Sequence, residues 1–252
     1  MDMERFTYFW RKIRDKGMRS PFFRFKQFTI WHDRCAMKVG TDGVLLGAWV
    51  SLRQARNVLD IGTGSGLIAL MIAQRCQAQV TGIDIDSDAI GQAGENALAS
   101  PWSGRIRFCQ ADAGAFQGGV YDTIVSNPPY FRERVHCPDG QRNAARHTES
   151  LTFECLLDAV ARLMSEDGSF SVILPAEAGE RFITLAAERH LYLLRRTYVH
   201  TKPSASPKRV LMAFVRTIQA CETTHLTLEE SPNVYSREYI GLVGDFYLNI
   251  NA

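Results

Sequence analysis

The sequence has no C-x-x-C pair and no Cys/His cluster at metal-ligand spacing. Its six cysteines (Cys35, Cys76, Cys109, Cys137, Cys155 and Cys221) stand singly along the chain. That spacing argues against a zinc ribbon or finger and against a disulfide-stapled secreted scaffold, so no metal is expected. The thiols read as buried or incidental groups in a reducing cytoplasm. No stretch approaches the roughly 18 apolar residues of a membrane span, and the first residues lack the apolar core of a secretory leader. Internal repeats and low-complexity tracts are absent as well. The net charge is only +2, too little to argue for nucleic acid by itself. The expectation from these absences is a cytoplasmic globular protein without membrane or metal; a monomer is expected too, though no sequence feature carries that.

The charge that is present lies unevenly. Residues 1–26 hold eight Lys or Arg against three acidic residues, a local +5 that leaves −3 for the remainder. Residues 1–24 mix basic and aromatic side chains ("RFTYFWRKIR") with no clear period. They read as a solvated, disordered tail, or alternatively as an arm that lies on phosphates. Residues 25–252 are long enough for one large α/β domain.

From Arg56 onward apolar runs and amphipathic segments alternate. "NVLDI" (57–61), "QVTGIDI" (79–85), "RIRFCQ" (105–110), "YDTIVS" (121–126) and "GSFSVILP" (168–175) read as strands. Helices are expected over 66–76, 87–98, 151–164 and 178–189, with Ser87 as a cap. "YLLRRTYVHT" and "RVLMAFVR" (209–216) are the last strands, and 236–248 a closing helix. Upstream, 25–32 reads as a strand and 42–50 as a helix capped by Asp42. Alternation of this kind implies a parallel sheet with helices on both faces, and ligands bind outside the carboxyl ends of its strands.

Chemistry-bearing residues fall just there. After the first strand of the alternating region comes "DIGTGSG", Asp60 to Gly66. Glycines at a strand-to-helix turn allow positive φ and close backbone approach, and the helix N-terminus beyond favours a negative group. A dinucleotide site wants G-x-G-x-x-G, whereas here Gly62, Gly64 and Gly66 place the third glycine one residue early. Asp60 precedes the loop, where it can face an ammonium. Asp84 ends the second of these strands, where a carboxylate takes ribose hydroxyls, and Asp112 follows the third, in reach of an adenine amine. Each is singly explained as a cap or loop residue. Together they point to S-adenosylmethionine, an amino acid joined to adenosine through a sulfonium.

After the fourth strand stands Asn127-Pro128-Pro129-Tyr130. Two adjacent prolines cannot continue a strand. The Asn127 Oδ1 and the Pro128 carbonyl can accept the two N–H groups of a planar amine and turn its lone pair toward an activated methyl. The prolines fix that direction in advance, and Tyr130 offers a stacking face. No general base is needed, because the nitrogen becomes strongly acidic only once methylated.

"DIGTGSG", Asp84, Asp112 and "NPPY" resemble class I SAM-dependent amino-methyltransferases, which implies a Rossmann-like sheet of seven strands, mostly parallel, with a last antiparallel strand. "FKQFTIWHDRCAMKVGTDGVLLGAW", "NPPYF" and "NVYSREYIGLVGDFYL" resemble more specifically the bacterial valine-tRNA (adenine-37) N6-methyltransferases. That resemblance implies that Lys38, Gly40 and Thr41 close over the methionine end of the cofactor, and that the substrate is an adenine of the tRNA anticodon loop. Phosphate contacts would then come from Arg132, Arg134, Arg142 and Arg146 after NPPY, and from Lys202, Lys208 and Arg209 between the last strands. The other reading of both clusters is a solvated charged loop. A protein glutamine N5-methyltransferase, an rRNA guanine N2-methyltransferase and a non-catalytic RNA-binding module with a vestigial pocket stay open as alternatives.

Overall fold

Residues 20–53, 55–129 and 151–250 are described by the computed structural model. The first element is a hairpin, β1 (Phe22–Arg24) and β2 (Thr29–Trp31), paired antiparallel with Phe22 opposite Trp31. It takes three residues from the segment read as a tail. The cause is aromatic packing: Phe25 is buried and stacks on Phe28 with ring centroids 4.7 Å apart. The Lys26 N–H and Nζ donate to the carbonyls of Phe246 and Gly244, so the hairpin is tied to the far end of the chain.

Helix α1 (Thr41–Trp49) is buried from Gly43 to Trp49. It starts at Gly40 without a side-chain cap, so Asp42 is not the cap expected of it and sits in the first turn instead. The alternating region follows: β3 (Asn57–Ile61), α2 (Leu67–Arg75), β4 (Gln79–Asp84), α3 (Ser87–Leu98), β5 (Ile106–Gln110), β6 (Tyr121–Ser126), α4 (Phe153–Leu163), β7 (Met164–Pro175) and α5 (Gly179–Ala187). The chain ends through β8 (Tyr192–His200), β9 (Arg209–Val215), β10 (Glu222–Thr227), β11 (Glu229–Ser231), β12 (Val234–Tyr235) and α6 (Arg237–Val243). The cap of α3 is Asp86 rather than Ser87, its carboxylate accepting from the N–H groups of Asp88 and Ala89.

The main sheet runs β10-β8-β9-β7-β6-β3-β4-β5. The expected seven strands are present, β3 to β7 parallel and β9 antiparallel between β7 and β8. An eighth, β10, adds parallel to β8 at the edge. Its sequence, "ETTHLT", buries only Leu226, so it carries no strand-like apolar pattern. Side chains alternate cleanly between two cores, as a pleated sheet requires. On β9, Leu211 and Ala213 join the core under α1, α2 and α6, while Val210, Met212 and Phe214 join the core under α4 and α5.

The chain leaves β3 toward β4 and β5, then returns to β6 on the other side of β3. The carboxyl ends of β3 and β6 therefore flank the switch point of the sheet, the place where such sheets bind ligands.

Candidate active site

A cavity of about 660 Å³ opens at this switch point, lined by the turns after β3, β4, β5 and β6 and by residues 35–43. The glycine turn after β3 is held from beneath. The N–H groups of Gly62 and Thr63 both donate to the Ile83 carbonyl, at 2.9 and 3.0 Å. Gly62 and Gly64 have φ of +72° and +54°, and no atom lies within 4 Å of where a Cβ would stand on either. Positive φ makes glycine the favoured residue at both positions. Gly66, the N-cap of α2 at φ +79°, is different. A Cβ there would meet the Phe108 ring at 2.9 Å and Ala93 at 3.2 Å, so its bareness serves helix-on-sheet packing, and it does not line the cavity.

Asp60 corrects an expectation. Instead of facing the cavity it is fully buried beneath the loop, on the side of β3 that carries α2. Its Oδ2 accepts from the Thr63 hydroxyl at 2.7 Å, and its Oδ1 has no hydrogen-bond partner. Burial pushes this carboxyl up to about 7, and the Asp84 charge adds to that; the Thr63 hydroxyl and the Ala69 N–H oppose it. Asp84 does line the cavity. Its Oδ2 accepts from the Gly64 N–H at 2.9 Å and its Oδ1 from the Asp86 N–H at 3.0 Å, which locks the glycine turn to the end of β4. Each oxygen keeps a second lone pair for a ligand. Asp112 also lines the cavity and closes its own turn, with Oδ1 on the Gly114 N–H at 2.6 Å. Arg162 of α4 supports that turn by donating to the carbonyls of Ala113, Gly114 and Phe116.

Asn127 and Pro129 line the cavity from the end of β6, where the buried Ser126 hydroxyl donates to the Ile61 carbonyl at 2.9 Å and fixes β6 to β3. A Cβ on Gly43 would come within 3.9 Å of Asn127 Nδ2, so α1 approaches the amide closely. Pro128 is buried and adds no lining. Tyr130, Arg132, Arg134, Arg142 and Arg146 lie outside the described residues.

Lys38, Gly40 and Thr41 line a further wall. Two buried amides that sequence reading missed hold that wall in place. Asn96 exchanges hydrogen bonds with the Trp31 backbone, its Oδ1 accepting from the N–H at 2.9 Å and its Nδ2 donating to the carbonyl at 2.8 Å. Its Nδ2 also donates to the Ser65 carbonyl at 2.9 Å. Gln92, one turn earlier, accepts from the Arg34 N–H and the Cys35 thiol and donates to Asp33. Residues 31–35 are thereby docked on α3, and the glycine turn is joined to the same helix. A signal existed: two polar residues four apart on the alanine face of α3. Burial pushes the cavity-lining Cys35 thiol up to about 11, reinforced by Asp86 and Asp84, so it stays protonated.

Of the three cations expected between the last strands, only Arg209 reaches the cavity. Its Nε donates to Asp42 Oδ2 at 2.8 Å. Lys202 is exposed on the turn before β9, and Lys208 lies beside Arg209. Among the described residues, no His/Cys/Asp/Glu cluster suits a metal, and no helix is long and apolar enough to cross a membrane.

The family model "methyltransferase small domain" matches residues 36–181. A tRNA1(Val) (adenine(37)-N6)-methyltransferase of Phocaeicola vulgatus is 53% identical over 234 residues, which are 92% of this chain and 100% of that one. The protein of the same name from Bacteroides fragilis is 50% identical over 237 residues, again 92% and 100%. The crystal structure of a predicted O-methyltransferase from Agrobacterium tumefaciens superimposes with a TM-score of 0.64. It covers 81% of this chain and 96% of its own, at 19% identity, and so shares the fold.

Proposed function

The chain belongs to the bacterial tRNA1(Val) (adenine(37)-N6)-methyltransferases, within the methyltransferase small domain family, and from that premise we propose how its cavity methylates N6 of adenine 37 in tRNA1(Val). The observation that carries the proposal is the meeting of the glycine turn, Asp84 and Asn127 in one cavity at the switch point.

The residues present fit S-adenosylmethionine. Gly62 and Gly64 leave an open cradle, and Asp84 retains acceptor capacity at a strand end. When bound, that molecule supplies a methyl group activated by a sulfonium. Asp84 would hold the ribose hydroxyls, Asp112 the adenine end, and Lys38 to Thr41 would cover the methionine end. Asn127 Oδ1 and the Pro128 carbonyl would accept the two N–H groups of the target amine. Preorganised acceptors need no rearrangement at the moment of transfer. The nitrogen's proton then leaves to water. An adenine beside the anticodon sits in a loop, so extruding it costs less than flipping one from a duplex. Tyr130 would supply the stacking face, and action on tRNA would place the protein in the cytoplasm.

The test is methylation of unmodified tRNA1(Val) by the purified chain, read by nucleoside mass spectrometry. N6-methyladenosine should form and should vanish when adenine 37 is replaced by guanine. Methylation of a glutamine peptide instead, or of guanine N2 in rRNA, would overturn the assignment.

A further inference from the structure

Residues 32–40 form neither helix nor strand, yet every residue from 35 to 43 lines the cavity. Between the buried His32 and the buried Gly43 no side chain of this strap is buried, although Val39 packs in part against the core. Apolar burial therefore contributes little to its position. Its backbone N–H groups lack a ladder to join and must find partners elsewhere. The Val39 N–H reaches His32 Nδ1 at 3.4 Å, and the Arg34 N–H reaches Gln92 Oε1 at 3.0 Å.

Gln92 carries most of the attachment. It is 1% exposed, and three consecutive strap residues meet its amide. Oε1 accepts from the Arg34 N–H and, at 3.3 Å, from the Cys35 thiol, while Nε2 donates to Asp33 Oδ1 at 2.7 Å. Both lone pairs of Oε1 are thus in use, and a flipped amide would set N–H against N–H. The helix that bears Gln92 also registers two other walls. The N–H of its cap, Asp86, donates to Asp84 Oδ1, and Asn96 holds the Ser65 carbonyl of the glycine turn. Gln92 itself does not line the cavity, so any effect on a ligand passes through the strap.

We infer that Gln92 is a positioning residue for S-adenosylmethionine: by pinning Asp33, Arg34 and Cys35 to α3 it holds the 35–43 strap over the bound cofactor and slows its release. The inference rests on the reading above in which Lys38 to Thr41 cover the methionine end. The experiment measures S-adenosylmethionine affinity and dissociation rate for the full chain at pH 8, with KM and kcat for methylation alongside. Gln92→Glu sets a carboxylate against Asp33, and affinity should fall about tenfold, carried by faster dissociation. Asp33→Asn keeps an acceptor for Gln92 and should lose little. The double variant Gln92→Glu/Asp33→Asn reverses donor and acceptor at unchanged net charge, and should recover affinity to within about threefold of wild type. Asp33→Ala approaches the same contact from the exposed side, without touching the buried position, and should cost about threefold even where Gln92→Glu fails to fold. In all of them KM for the cofactor should move while kcat at saturating cofactor stays within about twofold. Affinity unchanged in both Asp33→Ala and folded Gln92→Glu, or a double variant no better than Gln92→Glu, would overturn the inference. So would a fall in kcat with KM unchanged. Cofactor binding is read without tRNA, so a chain that shows this series but methylates no tRNA would overturn the substrate assignment alone.

Discussion

Arg209 at the start of β9 donates through Nε to Asp42 Oδ2 at 2.8 Å, joining the sheet to the first turn of α1 across 167 residues of sequence. Both side chains are partly exposed, 33% and 24%, and both line the cavity. Solvent screening keeps such a pair modest, so Asp42→Ala and Arg209→Ala should each lower stability by about 1 kcal/mol. The double variant should fall short of the sum by about 0.5 kcal/mol, which urea denaturation of the four proteins measures. Strict additivity would mean that this ion pair contributes no coupling energy to the fold.

Asn127 lines the cavity, and its proposed role is on the substrate amine rather than in the shape of the cavity. Asn127→Ala should leave S-adenosylmethionine affinity near wild type and lower kcat on tRNA by about 10²–10³-fold, the usual effect of deleting one preorganised polar partner. Calorimetry of cofactor binding alongside single-turnover methylation separates the two. A loss of cofactor affinity with kcat retained would place the residue in cofactor binding alone.

Much of this architecture was legible because parallel strands buried on both faces read as apolar runs: "NVLDI" and "YDTIVS" coincide with β3 and β6 to the residue. Three things were not. Asp60 stands at a strand end like Asp84, and only its two-residue spacing from Val58, which faces the α2 side, says that it points under the helix. Gln92 and Asn96 bond to backbone 58 and 65 residues away, a partnership no local pattern encodes. β10 is an edge strand whose pairing is backbone-driven, so its side chains carry no apolar alternation.

The buried Asp60 makes stability depend on pH in a direction opposite to that of most carboxylates. Its folded value, about 7, lies above its ordinary value of 3.8, so between these pH values the native state holds a proton that the unfolded chain has released. Stability therefore falls as pH rises from about 4 to about 7 and levels off above. Asp60→Asn keeps an acceptor for Thr63 and removes the titration. Its unfolding free energy should lose that decline, a difference on the order of a few kcal/mol between the two profiles by the usual linkage. Chemical denaturation of both proteins from pH 4 to pH 8 measures it. Parallel profiles would show that Asp60 is ionised throughout.

Gly64 and Gly66 should fail for different reasons although both have positive φ. Alanine at Gly64 would enter open space, so its cost is backbone strain alone, about 1–2 kcal/mol. Because that turn borders the cavity, S-adenosylmethionine affinity should fall as well. Alanine at Gly66 adds a clash with Phe108 and Ala93 to the same strain, and overpacking of this kind costs a further 1–3 kcal/mol or thereabouts, roughly doubling the loss. Thermal melts should thus rank Gly66→Ala below Gly64→Ala. Cofactor titration of whatever folded Gly66→Ala protein remains should give affinity closer to wild type than Gly64→Ala gives. The reverse order of affinities would place the ligand against the start of α2 instead of the turn before it.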